Sequence, residues 1–357
     1  MKKFMMVIMS ALALCIALAA SAYADEGIKI VINGEEIVSD VAPMTMPVYV
    51  EGKHSGDRVM VPIRAISEKL NFDVAWNQET KGITIYRDNN IYCMWVEKDT
   101  AFHLGGLRFE KGYTMDVTPT VIKSRTLVPV RAVAEVLGAE VEWQGETKTV
   151  AIKYDLGELE NNTGLAEKLT AYEKVLFEGY DIFKSYADGS IETVDGKFVL
   201  ENGKEIKFQL YPQLAYYTVT KFVALAEAGA YNGTIFHRVI KDFMAQGGGF
   251  MSDGNYIQTE NIPGEFLYNG YFNIIGHDRG VLSYARADDP NSGSSQFFIV
   301  HKDSPHLDGY YAAFGKVTEG IEVIDEICSV QTDENDKPIE DIVIKEVIIE
   351  DSEPTED

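Results

Sequence analysis

Residues Phe236 to Phe250 read FHRVIKDFMAQGGGF, and in them one permanently charged donor, Arg238, precedes two soft apolar side chains, Phe243 and Met244, by five and six positions. Gln246 and three glycines follow. A guanidinium keeps its proton at any ordinary pH, so it cannot serve as a base, yet it is a rigid fork of hydrogen-bond donors. A site built on Arg238 would position and polarise a substrate rather than move protons. His237 stands beside it, but such chemistry needs no base, and a structural role is expected for that imidazole. Gly247 to Gly249 lack the following Lys-Ser/Thr of a phosphate loop and read as a tight turn.

The elements that must position these groups are short. Lys197–Leu200, the turn ENGK and Glu205–Leu210 read as a hairpin, and mostly short apolar runs between glycine-rich turns follow. One helix is expected over Thr218–Ala228, with Val219, Phe222, Val223 and Ala226 on one face, and a shorter one over Ile321–Ile327. Many short strands with two helices predict a closed antiparallel barrel. Strand alternation puts Met244 and Gln246 on one face, and likewise Gln296 and Phe298. It does not bring Phe243 to that face.

Two later stretches, GVLSYARADDPNSGSSQFFIV (280–300) and SPHLDGYYAAFGKV (304–317), fit the same site. Together the three resemble the cyclophilin family of peptidyl-prolyl cis/trans isomerases. The likeness begins near Lys207, runs through KFQLYPQLAYYTVTKFVALAEAGAYNGTIFHRVI, IPGEF and HDRGVLSYAR, and reaches Ile324. The resemblance implies a closed eight-stranded antiparallel barrel with a helix over each open end. It also implies proline-containing polypeptides as substrates and no cofactor. By the same resemblance Arg238 is the catalytic donor, and Phe243, Met244, Phe298 and Leu307 form the floor and walls that take the proline ring. Gln246 holds the substrate backbone and the arginine, while Ala285, Arg286 and Gln296 line the adjoining groove. Three positions depart from the best-known members: His306 stands for a tryptophan, Tyr311 for a groove histidine and Arg286 for an asparagine. Weak cyclosporin binding is therefore expected.

Upstream the chain repeats itself. Arg58–Ile85, RVMVPIRAISEKLNFDVAWNQETKGITI, aligns without gaps on Arg125–Ile152, RTLVPVRAVAEVLGAEVEWQGETKTVAI, at an offset of 67 residues, which marks a duplicated supersecondary unit. In each copy a proline, Pro62 or Pro129, suits a first helical position, apolar residues then recur at helical spacing, and Asn71 or Gly138 suits the left-handed turn that ends a helix. Two short strands follow, Val74–Trp76 and Ile83–Tyr86 in the first copy. The paired VPIRAISE and VPVRAVAE resemble the copper amine oxidase N-terminal repeat domain of exported bacterial proteins, an α+β module that implies attachment. His54 and His103 lie far apart without ligand-like spacing, so no metal is expected, and Arg64 and Arg131 are expected to anchor the fold.

At 357 residues more than one core is expected. A net charge of −24 disfavours nucleic acid or an anionic membrane surface as a partner, and none is expected. Lys2 and Lys3, an apolar run from Phe4 to Ala20 and Ala22-Tyr23-Ala24 form a secretory signal pattern. Cys15 falls inside it, which leaves Cys93 and Cys328 as free buried thiols in separate domains. The expected order is a signal peptide (1–24), the two-repeat domain (25–155), a linker with an amphipathic helix marked by Leu165, Leu169, Tyr172, Leu176, Tyr180 and Phe183 (156–189), the isomerase-like domain (190–351) and an acidic tail (352–357). The expected function is prolyl isomerisation on exported proteins during folding. The competing class is a proline-peptide-binding module with little turnover, tethered to a cell-wall or envelope component through the repeat domain. Arg238 separates the two, because a pure binder has no need of it.

Overall fold

A computed structural model of the chain describes residues 27–155 and 173–350, apart from positions 51, 88, 89, 106, 107, 175 and 272. The expected leader and tail, most of the linker, and Leu165, Leu169 and Tyr172 lie outside the described residues. The chain divides into two compact units, residues 1–106 with 110–177, and residues 107–109 with 178–357.

In the first unit each copy of the repeat builds a strand, a short helix and a hairpin. The helices are Ile63–Lys69 and Val130–Val136. Each starts one residue later than the prolines predict, because Pro62, at ψ 119°, is still extended and ends the strand Lys53–Pro62. Asn71 and Gly138 do take left-handed backbone just past the helices, at φ 59° and 76°. The hairpins pair Asp73–Asn77 with Gly82–Arg87 and Glu140–Gln144 with Thr149–Lys153.

The two copies meet through strands Lys53–Pro62 and Arg125–Pro129, which run antiparallel with Val61 opposite Val128. Those two valines hold the same place in the repeat, so the duplicated halves join about a local two-fold axis through this pair. Both are 0% exposed, and a buried self-complementary strand pair is how a duplicated unit covers a face it cannot bury alone. Arg64 makes a carboxylate contact, with Glu68 one turn along the helix, and its side chain is 64% exposed. Arg131 is exposed as well. The buried carboxylate among the described residues of this unit is Glu173, which accepts hydrogen bonds from Trp95 Nε1 (2.5 Å), Thr80 Oγ1 (2.6 Å) and Asn77 Nδ2 (2.6 Å). Three donors offset the desolvation of its carboxylate.

In the second unit nine strands form one sheet in the order Thr234–Ile235, Val343–Ile349, Val194–Leu200, Glu205–Leu210, Ala312–Glu319, Val281–Tyr284, Phe297–Val300, Met244–Gly247 and Arg238–Ile240. The hairpin and both helices expected from the sequence are present, the helices as Tyr216–Glu227 and Ile321–Ile327. The count is nine rather than eight because the run 234–240 is split. Phe236 N–H donates to Ile342 O and His237 N–H to Gln246 O, so successive residues face different strands. Within the described residues the amphipathic stretch breaks at Gly179: helix Tyr180–Asp188 begins after it, and Leu176 belongs to the other unit.

Phe222 of helix Tyr216–Glu227 is the centre of the core. Its ring meets Phe198, Phe208, Tyr231, Phe297 and Phe314 at centroid distances of 6.0, 5.8, 5.2, 5.6 and 5.2 Å. Phe222→Ala should lower the unfolding free energy by about 3–5 kcal/mol, read as a shift of the urea midpoint. Cys93 and Cys328 are free and buried, and burial pushes both thiols up to about 12. Iodoacetamide should leave both unmodified in the native protein at mildly alkaline pH and alkylate both after denaturation, as read by intact mass.

Candidate active site

Arg238 reaches its place through strand register. It lies opposite Gln246, Gln246 lies opposite Phe298, and Phe298 lies opposite Ser283. Cross-strand partners share a face of the sheet, so Arg238, Gln246 and Phe298 form a row on one side. Neighbouring strands are about 4.8 Å apart, which puts the Arg238 backbone two strand spacings from the Phe298 ring, within reach of a long side chain.

That face carries its own apolar cluster, separate from the core around Phe222. Met244, Phe298 and Leu307 are buried members, 2%, 5% and 7% exposed, with half-buried Phe243, Ala285 and Tyr311 packed against them. The predicted ring-binding residues thus come together from three chain segments. Phe243 joins them although strand alternation excludes it, because it precedes the strand that begins at Met244. Asp242 sits in left-handed backbone at φ 60°, and Phe243 N–H donates to Ile240 O, so a turn and not a pleat aims the ring.

His301 fixes that turn. Asp242 N–H donates to its Nδ1 at 3.0 Å, which makes Nδ1 the acceptor and leaves the proton on Nε2, 3.1 Å from Asp325 Oδ1. Its backbone N–H donates to Phe243 O at 2.8 Å. Arg279 braces the same corner, reaching His301 O and Asp325 Oδ2 at 2.8 Å each, and the guanidinium holds the Asp325 carboxyl below the usual carboxylate range.

A second network lies behind Phe298. The His277 ring stacks on it with planes 16° apart, its Nδ1 is 2.9 Å from Asp308 Oδ1, and its Nε2 is 2.9 Å from Ser283 Oγ. The order Ser-His-Asp is that of a hydrolase triad, but Ser283 and His277 are 0% exposed, so no substrate reaches them. The array supports the pocket wall, and Asp308 directly follows Leu307.

The groove residues divide. Gln246 Nε2 donates to Gln296 Oε1 at 2.7 Å, which ties these two side chains together rather than Gln246 to Arg238. Gly248 and Gly249 make room for this: Gly248 has φ 75° with Phe297 2.8 Å from any added Cβ, and at Gly249 an added Cβ would come 2.7 Å from the Gln296 side chain. Arg286 is engaged as a strut, donating to the carbonyls of Tyr310 and Ala287 and lying 4.5 Å from the Tyr311 ring centroid. His306 is exposed, with its ring 5.5 Å from Phe243. Burial holds the His237 pKa below the ordinary histidine value, so beside Arg238 the imidazole is neutral near pH 7.

Asp336 is a contact that the sequence reading misses. Its Oδ2 lies 3.5 Å from Arg238 Nε, and its carbonyl accepts from Val239 N–H. Asp336 lies 98 positions beyond Arg238 in an acidic hairpin and left no local pattern to find it by. His277, Asp308 and His301 were equally hidden, because their partners are distant in sequence.

Comparison with known proteins shows the family. Residues 197–349 match the family model for cyclophilin type peptidyl-prolyl cis-trans isomerases, and residues 31–152 and 108–175 match the copper amine oxidase N-terminal domain. The chain is 45% identical over 127 residues to peptidyl-prolyl cis-trans isomerase B of Bacillus subtilis, covering 36% of this chain and 85% of that protein. It is 43% identical over 150 residues to peptidyl-prolyl cis-trans isomerase A of Dickeya dadantii, covering 41% and 76%. Among solved structures, a cyclophilin type peptidyl-prolyl cis-trans isomerase of Cryptosporidium parvum is 31% identical, with 45% of this chain and all of that one covered and a TM-score of 0.39. The identity extends over most of each bacterial relative's length, and the chain belongs to the cyclophilin family of peptidyl-prolyl cis-trans isomerases, carrying a copper amine oxidase N-terminal domain ahead of its isomerase domain.

Proposed function

We propose that this protein is an exported isomerase that speeds X-Pro isomerisation in exported polypeptides during folding, with Arg238 as its catalytic residue. The observation that carries this reading is the row Arg238, Gln246, Phe298 above an apolar cluster that is not the core. We also read the sheet as closed. Residues 234–240 act as one strand shared by both ends of the order, giving eight strands around a barrel with helices Tyr216–Glu227 and Ile321–Ile327 over its openings.

Twisting an X-Pro amide breaks its resonance, over a barrier of about 18–20 kcal/mol, and uncatalysed exchange takes tens to hundreds of seconds. No nucleophile or proton transfer is needed. As the bond twists, the lone pair localises on the prolyl nitrogen, and a donor aimed there stabilises the twisted state more than the planar one. A charged hydrogen bond contributes about 1.5–3 kcal/mol, and each tenfold in rate requires about 1.4, so Arg238 accounts for one or two decades. The remainder comes from the hollow of Phe243, Met244, Phe298 and Leu307, which grips the ring, excludes water and favours a part-twisted substrate.

Asp336 does not stand in the way. Both partners of the ion pair are nearly half exposed, at 45% and 43%, and such pairs are worth about 0–1 kcal/mol. The contact is at Nε, which leaves the two terminal amino groups for the substrate.

Export is supported by the leader pattern of Lys2, Lys3 and the run Phe4 to Ala20, and by the copper amine oxidase N-terminal domain, which is typical of bacterial extracellular proteins. That domain is our candidate for attachment to a cell-wall or envelope component. A module that only held proline segments would gain nothing from a donor placed at the prolyl nitrogen.

Arg238→Ala should keep the fold by circular dichroism and lose at least about tenfold in kcat/KM on a proline peptide; wild-type activity in that variant would refute the assignment. His306→Trp should tighten cyclosporin binding by roughly tenfold, the scale of one added aromatic contact, as measured by calorimetry. Unchanged affinity would mean that position 306 does not set drug sensitivity here.

A further inference from the structure

The groove continues past Arg286. Its Nε and Nη2 donate to Tyr310 O at 3.1 and 3.0 Å, fixing the backbone from which the Tyr310 ring projects. That ring meets Tyr268 at 5.1 Å between centroids, and Tyr268 N–H donates to Gly309 O at 2.9 Å. Three residues further along the same loop, Tyr271 meets Tyr217 at 6.5 Å, and Tyr217 meets Tyr216 at 5.5 Å. Two groups of tyrosine rings, Tyr310 with Tyr268 and Tyr271 with Tyr217 and Tyr216, are therefore linked by one loop between the edge of the groove and the start of helix Tyr216–Glu227.

These rings are not core. Tyr268 is 61% exposed, Tyr216 63%, Tyr217 48% and Tyr310 38%. The backbone beneath them is held firmly: Asn269 Nδ2 donates to Gly264 O, Asn273 Nδ2 to Glu265 O and Ala313 O, and the buried Glu265 carboxylate accepts from Tyr217 and Thr218 N–H. Tyrosine on a rigid backbone offers a large amphipathic contact with few torsions to freeze, which is why it dominates adaptable binding surfaces. A run of such rings on an otherwise strongly acidic chain is an interaction surface rather than a solubilising one.

We propose that the five tyrosines extend the substrate groove and hold the polypeptide flanking the target proline, with preference for apolar and aromatic residues there. This rests on the reading of the adjoining groove as the proline site. Continuity names the occupant: the rings join that groove through the Arg286–Tyr310 bonds, so the chain already bound at the proline is the chain that lies across the rings. At ring spacings of this size the two groups match on the order of six extended residues.

The test uses the full chain and a proline tetrapeptide, alone and lengthened by about six apolar and aromatic residues on either flank. Lengthening on one flank should raise kcat/KM about fivefold through a lower KM, the scale of one or two aromatic anchors. The double variant Tyr216→Ser, Tyr268→Ser changes two of the most exposed side chains, so it should fold normally, keep the tetrapeptide rate within about twofold and lose the flank gain. A gain retained in the variant, or absent on both flanks in the wild type, would overturn the extension while tetrapeptide turnover leaves the isomerase reading intact. No turnover of any peptide by the wild type would overturn both. If the rings join two copies instead, the wild type would sediment as a dimer, the variant as a monomer, and no flank gain would be seen; that too would overturn the proposal.

Discussion

The structure depends on a separation of two apolar clusters by one sheet. On one side Phe222 gathers Phe198, Phe208, Tyr231, Phe297 and Phe314 into a core. On the other, Met244, Phe298 and Leu307 make a second cluster with half-buried members. Phe297 and Phe298 are consecutive and serve opposite sides, as the pleat requires. A one-residue slip of strand Phe297–Val300 would exchange them, filling the core wrongly and emptying the hollow together. Stability and site are therefore set by the same register.

That register also puts a charge on the same sheet face as the second cluster without burying it. A guanidinium in the second cluster itself would carry a desolvation cost of several kcal/mol. Arg238 avoids this by standing two strands away, nearly half exposed and beside Asp336. Around it the supports are neutral or paired. The His301, Asp325 and Arg279 corner holds the turn that aims Phe243, and the His277, Asp308 and Ser283 array backs Phe298. Rigidity of this kind is what lets a single hydrogen bond act on the twisted amide more than on the planar one.

Much of this was legible in the sequence where the signal is local. The helices Thr218–Ala228 and Ile321–Ile327, the hairpin around ENGK and the repeat at a 67-residue offset all rest on periodicity or self-similarity, and the structure has the helices within two residues and the hairpin within three. What depends on tertiary placement was not legible. Residues 234–240 read as one run, but only the partners of Phe236 and His237 show where it divides. Phe243 could not be placed by alternation because a left-handed Asp242 intervenes. The motif points to Arg64 and Arg131, yet it does not show that the carboxylate of Glu173 is buried among Trp95, Thr80 and Asn77. Asp336 met Arg238 across a separation that carries no pattern.

The claim that a fixed guanidinium beside an aromatic hollow twists one amide is tested most directly by a crystal structure of the protein with a bound proline peptide. The account predicts the proline ring among Phe243, Met244, Phe298 and Leu307, with a terminal nitrogen of Arg238 within about 3.5 Å of the prolyl nitrogen or the adjoining carbonyl. A ring seated there with the Arg238 side chain turned away to Asp336, or a peptide bound elsewhere on the protein, would contradict it.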